Sequence, residues 1–302
     1  MTLSYLHYDV FTDHALTGNQ LAVFLDARGL TTTQMQSLAR EMNFSESTFI
    51  LPAETGETGV RMRIFTPATE MPMAGHPTIG STFALARTGV IRAGASRFVF
   101  SLNVGAVPVD LEWDGEELRF AWMTQLNPAF GRVVGDRESV AAALGLSEAD
   151  LVEGLPVQEV NCGVPFLIVP VRSPEAVDRA VTDASALRRL ASRGVDLPIF
   201  FFAMSRPGSD RTVYSRMFAP ELGVVEDPAT GSASGPLGCY LLRHGLISPD
   251  GATEIVSLQG VAMGRPSRIH VSISSRAGEI TQVKVGGRAV LVARGELTLP
   301  DD

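Results

Sequence analysis

Residues 63–67 read RIFTP, and residues 216–220 read RMFAP; the stretch after each copy also returns. After the first comes His76-Pro77-Thr78-Ile79-Gly80-Ser81, and after the second Asp227-Pro228-Ala229-Thr230-Gly231-Ser232. The offsets are nearly equal: 216 − 63 is 153 and 227 − 76 is 151, about half of the 302 residues. Two stretches repeated in one order at one spacing mark a duplicated half rather than a many-unit solenoid. Two related halves would leave a cleft between them, where small-molecule sites usually lie.

Working outward from the repeat, strand-like runs fill the first half at 6–11, 21–25, 47–51, 60–65, 97–101, 106–112 and 117–121. A helix is expected over 32–42, with Thr33 as its cap and Met35, Leu38, Ala39 and Met42 at helical spacing. A second should begin after His76-Pro77 and stop near Gly89. Asn127-Pro128 and Gly131 read as a break and domain boundary. Beyond it, helices are expected at 137–145, 174–192 and 231–244, the last ended by Gly245. Strands are expected at 156–161, 164–170, 197–203, 211–218 and through 253–298. The alternation is too irregular for a doubly wound sheet. The expected fold is α+β, with two pseudo-symmetric domains of curved, mostly antiparallel sheet, each wrapped on a central helix. The first domain covers 1–125, joined by a C-terminal strand at about 286–302, and the second covers 126–285.

Composition narrows the function class. With 45% hydrophobic and 19% charged residues, the chain can build a sizeable core. A net charge of −8 argues against a nucleic-acid partner. No run approaches the roughly 20 apolar residues of a membrane span, and the N-terminus lacks a basic segment leading into an apolar one. Cys162 and Cys239 are too few for a disulfide framework and both lie in apolar runs, so buried free thiols in a reducing cytoplasm are expected.

The repeats place His76 and Asp227 at or just before two helix starts, where free N–H groups and the positive dipole end suit a carboxylate. Gly75, Gly231 and Ser232 would let backbone and ligand approach closely. Asp-Pro before a helix is also a common cap, and a lone histidine is often structural. The unlike residues at matched positions favour a specialised pair. In MNFSESTFIL (42–51), alternation puts Glu46, Thr48 and Ile50 on one face and Ser47, Phe49 and Leu51 on the other. Glu46 alone reads as an edge-strand charge or as a carboxylate held for a purpose. Phosphate-loop, dinucleotide and nucleophile-elbow patterns are absent. The five histidines form no ligand spacing, so no metal is expected.

Taken together, the blocks resemble the phenazine biosynthesis PhzF family. They are Thr17-Gly18-Asn19-Gln20-Leu21-Ala22-Val23 after Phe11, and Glu41-Met42-Asn43-Phe44-Ser45-Glu46-Ser47-Thr48-Phe49. Next come Arg63 to Pro67, Glu70-Met71-Pro72, Ala74 to Gly80, Glu226 to Ala233, Gln259-Gly260 and Met263 to Ser267. The resemblance implies a diaminopimelate epimerase-like fold and a cofactor-free, metal-free enzyme, usually a homodimer, acting on a small carboxylate. It puts the catalytic glutamate on Glu46 and its partners on His76 and Asp227, with Ser45, Gly75, Gly231 and Ser232 contacting substrate. Epimerases of this fold use two thiols, but the matching loops here read AGHP and EDPATG, so two-thiol racemisation is disfavoured. The expected activity is isomerisation similar to that of trans-2,3-dihydro-3-hydroxyanthranilate, with Glu46 as acid and base; burial of Glu46 could raise its pKa toward the operating pH. Rival readings are a racemase or epimerase without thiols and a non-catalytic metabolite-binding or scaffold protein.

Overall fold

The computed structural model describes residues 2–53, 56, 59–205, 208–210, 212–248 and 252–299. Arg211, the first residue of one expected strand, lies outside them. The chain divides into two compact units, Met1–Gln125 with Lys284–Asp302, and Leu126–Val283.

In the first unit Thr2–Val10 pairs antiparallel with both Ala289–Thr298 and Asn19–Phe24. Asn19–Phe24 then pairs parallel with Glu46–Leu51, which pairs antiparallel with Val60–Phe65. Val60–Phe65 continues in parallel to Arg97–Leu102, and a meander runs on through Gly105–Asp114 and Glu117–Thr124. This sheet carries one helix on each side.

The helix Gly75–Arg87 is buried from Gly75 through Leu85 although it contains three hydroxyl residues. Thr78 Oγ1 donates to the Ala74 carbonyl at 2.8 Å and Thr82 Oγ1 to the Thr78 carbonyl at 2.7 Å, so these hydroxyls are satisfied within the helix. Thr48 and Ser81 exchange a hydroxyl contact at 2.9 Å. Gly80 sets the approach, because a Cβ there would lie 2.5 Å from Leu21 Cδ2 and 2.7 Å from Val10 Cγ2. On the other side Thr32–Met42 lays Met35, Leu38 and Ala39 on Phe24, Phe49 and Phe65. Each such large apolar side chain contributes about 1.5–3 kcal/mol through burial. The helix is capped by Thr31 rather than Thr33: Thr31 is extended, its hydroxyl accepts from Gln34 N at 3.2 Å, and Gln34 Oε1 accepts from Thr31 N at 2.9 Å.

The second unit repeats the plan. Pro165–Pro170 pairs parallel with Ile199–Met204, which pairs antiparallel with Val213–Phe218. Val213–Phe218 meets Ala252–Gln259 in parallel, and that strand pairs with Ser267–Arg276. The helix Gly231–Arg243 is buried almost throughout, and Gly238 brings it against Val271 and Ile273.

Two expectations need correcting here. The segment 174–192 is two helices, Pro174–Arg179 and Ala184–Ser192. Arg216 Nη1 takes the Val177 and Ala180 carbonyls at 2.9 and 2.8 Å, while the amides of Val181 and Asp183 bond to the Leu144 and Ala143 carbonyls. Those long-range bonds replace the helical ones. Gly131 is no break either; it lies within the strand Ala129–Val133, where a Cβ would meet the Glu159 side chain at 2.7 Å.

Both arginines of the repeated motif make the same clamp. Arg63 donates to Glu70 through Nε at 2.8 Å and Nη2 at 2.6 Å, and its guanidinium lies over Phe65. Arg216 donates to Glu226 through Nε and Nη2, both at 2.8 Å, and lies over Phe218. The duplication therefore extends to a planar fork, its carboxylate and an aromatic face.

Candidate active site

Glu46 is the first residue of its strand, opposite Leu21 of the neighbouring strand, and so on the face that meets the helix Gly75–Arg87. His76 is the second residue of that helix, because Ala74 is extended and the helix starts at Gly75, three residues before the expected start after Pro77. The result is a contact of 3.2 Å between Glu46 Oε2 and His76 Nδ1. Asn19 Nδ2 lies 3.1 Å from the same ring nitrogen. A nitrogen–oxygen contact of that length needs one proton, held on Oε2 or on Nδ1.

A carboxylate so close would favour the imidazolium. Complete burial acts the other way and pushes His76 down to about 3, with the Gln20 backbone offsetting part. The positive end of the helix acts in the same direction as burial. His76 is therefore a neutral hydrogen-bonding group across the physiological range. Its other ring nitrogen, Nε2, is buried with no hydrogen-bond partner among the described residues. Ser45 and Glu46 are half-buried, so the carboxyl lies at the edge of the packed region rather than beneath it.

In the second unit Asp227 is 4% exposed and its amide donates to the Met217 carbonyl at 3.1 Å. Asp227-Pro228 does not open the helix as the motif suggested. The N-cap position is Thr230, and the helix begins at Gly231, followed by the half-buried Ser232. Thr230 Oγ1 donates to Asp227 Oδ2 at 2.6 Å. Neither this helix nor Gly75–Arg87 has a side-chain cap bond at its N-terminus. Among the described residues the other four α-helices all have one, from Thr31, Asp136, Ser173 and Asp183. The two helices of the repeated motif are thus the ones whose N-cap residue itself makes no side-chain cap bond.

Glu46, His76 and Gly75 come together in the first unit, and Asp227, Gly231 and Ser232 in the second. Asn19, Thr230 and Gln259 escaped the sequence reading as site neighbours, although all three stand inside the family-like blocks. A side chain whose partner is 57 or 32 residues away leaves no local signal. Elsewhere in the first unit a cavity of about 630 Å³ is lined by Tyr8, Phe83, Arg87 and Trp113, without Glu46 or His76. Burial pushes the Tyr8 phenol up to about 12, so it keeps its proton at neutral pH. Among the described residues no cluster of histidine, cysteine and acidic side chains could hold a metal ion, and no helix is long and apolar enough to cross a membrane.

Residues 8–295 match the family model for phenazine biosynthesis-like proteins, PhzC-PhzF. The chain belongs to the PhzF family. It is 38% identical over 296 residues to trans-2,3-dihydro-3-hydroxyanthranilate isomerase of Pseudomonas fluorescens, covering 98% of this chain and 99% of that one. The crystal structure of a PhzF-family phenazine biosynthesis protein from Bacillus anthracis matches with a TM-score of 0.90 at 28% identity, over 99% of this chain and 100% of that one. A hydroxyproline epimerase from Agrobacterium vitis shares the fold, with a TM-score of 0.67 at 13% identity, over 99% and 93% of the two chains. The PhzF chain is accordingly an α+β protein of the epimerase-like class and an enzyme of the isomerase type.

Proposed function

We propose that this PhzF-family chain moves a proton between two carbons of a small carboxylate substrate similar to trans-2,3-dihydro-3-hydroxyanthranilate, without a cofactor, and that Glu46 is the acid and base. The carrying observation is the contact of 3.2 Å between Glu46 Oε2 and His76 Nδ1, with the imidazole closed off and the carboxyl partly exposed. Glu46 takes a proton from one carbon, the electron pair of that C–H bond moves through the conjugated system, and a second carbon takes the proton back from Glu46. His76 and Asp227 orient the substrate and assist the relay. The helix starts at Gly75 and Gly231 turn their positive dipole ends to the substrate carboxylate and to charge developed in the transition state. Ser45 and Ser232 complete the contacts, and assembly as a homodimer belongs to the same proposal.

Turnover of cyclic dihydroaromatic carboxylates in deuterium oxide tests this reading. Isomerisation places deuterium on a carbon other than the one that lost its proton. Label returned to the original carbon would make the enzyme a racemase or epimerase, and binding with no turnover of any such acid would make it a binding protein.

A further inference from the structure

Gln259 ends the strand Ala252–Gln259, is fully buried, and belongs to a turn that covers the loop carrying Asp227. Gly260, at φ +78°, packs so closely there that a Cβ would fall 2.5 Å from the Pro228 carbonyl oxygen. The Gln259 amide has no spare valence for reversal. Its Nε2 donates to the Asp227 carbonyl at 2.7 Å and to Thr230 Oγ1 at 2.9 Å, and its Oε1 accepts from Thr230 N at 3.0 Å. Turned over, the amide would set oxygen against carbonyl and N–H against N–H.

That fixed orientation decides where the Thr230 proton points. Nε2 can only donate, so Thr230 Oγ1 must accept from it and spend its own proton on Asp227 Oδ2, 2.6 Å away. We propose that Gln259 is a positioning residue for the reaction: through Thr230 it commits Asp227 Oδ2 as an acceptor and holds that carboxylate in one rotamer toward the substrate. The proposal rests on the isomerase reading above, with Asp227 as a substrate-orienting group. Nothing in it requires Gln259 to touch substrate. Without the clamp the Asp227–Thr230 loop loses the bonds from Gln259 and the carboxylate loses its fixed donor, and misplacement of an orienting group costs about 10- to 100-fold in rate.

Steady-state kinetics of Gln259→Leu, Thr230→Val and Thr230→Ser, with each protein's folded fraction measured by circular dichroism, tests it. Gln259→Leu and Thr230→Val should lower kcat per folded molecule about 10- to 100-fold with KM changed less than about threefold. Thr230→Ser keeps the hydroxyl and should recover most of the loss. Thr230→Val removes only that hydroxyl, so it carries the test if Gln259→Leu does not fold. A folded Gln259→Leu or Thr230→Val with wild-type kcat overturns the positioning role while leaving the isomerase reading intact. Equal losses in Thr230→Ser and Thr230→Val also overturn it. A wild type inactive on every dihydroaromatic acid overturns the isomerase reading and this proposal with it.

Discussion

Glu46 and His76 meet through one oxygen and one nitrogen, 3.2 Å apart, with the imidazole 3% and the carboxyl 15% exposed. The histidine side of this pair is closed off and uncharged, and the glutamate side opens outward. Proton traffic is therefore expected through Glu46, with His76 and Asn19 as its fixed backing.

Glu46→Gln preserves shape and removes the proposed base. Turnover should fall by about 10²- to 10⁴-fold, the usual contribution of a positioned general base, while substrate binding stays near normal. Rapid-quench turnover and equilibrium binding on one preparation would separate these effects. A variant that turned over its substrate at the wild-type rate would rule out Glu46 as the proton carrier.

The pH dependence of stability is set by His76. Its folded value, about 3, lies below the ordinary 6.5, so the unfolded chain binds the extra proton between those limits. The stability from burying it neutral is complete above about 6.5 and is lost as pH falls toward 3. Burial lowers His244 as well and adds in the same sense. Urea titrations from pH 7 to 4 should show stability falling by several kcal/mol, with a shallower fall in His76→Asn. An imidazole resonance of His76 titrating near 6.5 by NMR would refute this assignment.

The two arginine clamps differ in depth, which ranks their mutants. Arg216 is 8% exposed beside a Glu226 at 16%, whereas Arg63 and Glu70 are 19% and 23% exposed. Removing one partner of a buried pair strands the other charge and costs about 3–5 kcal/mol. Arg216→Ala also releases the carbonyls of Val177 and Ala180, so thermal melts should show it clearly less stable than Arg63→Ala. The reverse ranking would mean the second clamp contributes little.

Cys162 and Cys239 are fully buried, with sulfurs 3.9 Å apart. The hydrogen bond with Cys162 and burial both push the Cys239 thiol upward, away from the reactive thiolate. Neither thiol should react with a chromogenic disulfide reagent while the protein is folded, and both should react in denaturant. Rapid labelling of the native protein would contradict the packing of this pair.

Local patterns were enough for the faces and the repeat. Alternation put Thr48 on the side of Glu46, where it meets Ser81, and Phe49 opposite, where it stacks on Phe24. Helix starts and breaks were harder because distant partners decide them. The start at Gly231 was legible, but the tie of Thr230 to Gln259 that holds Asp227-Pro228 outside the helix was not, and 180–183 leave the helical path for carbonyls near residue 143. Periodicity senses neighbours three or four residues away and is blind to such ties.

The pairing of Thr2–Val10 with Ala289–Thr298 sets an order of events during synthesis. The second unit is one continuous stretch and can close as soon as it has emerged. The strand Thr2–Val10 must wait for Ala289–Thr298, nearly 280 residues further on. At roughly 5–20 residues per second that wait is about 15–60 s. Throughout it, Leu6 and Tyr8 lack a neighbour they will later pack beside, and one edge of their strand stays open to chaperones or to misplaced pairing. An enzyme assembled from two similar halves is thus born asymmetrically, the discontinuous half closing only after the continuous one.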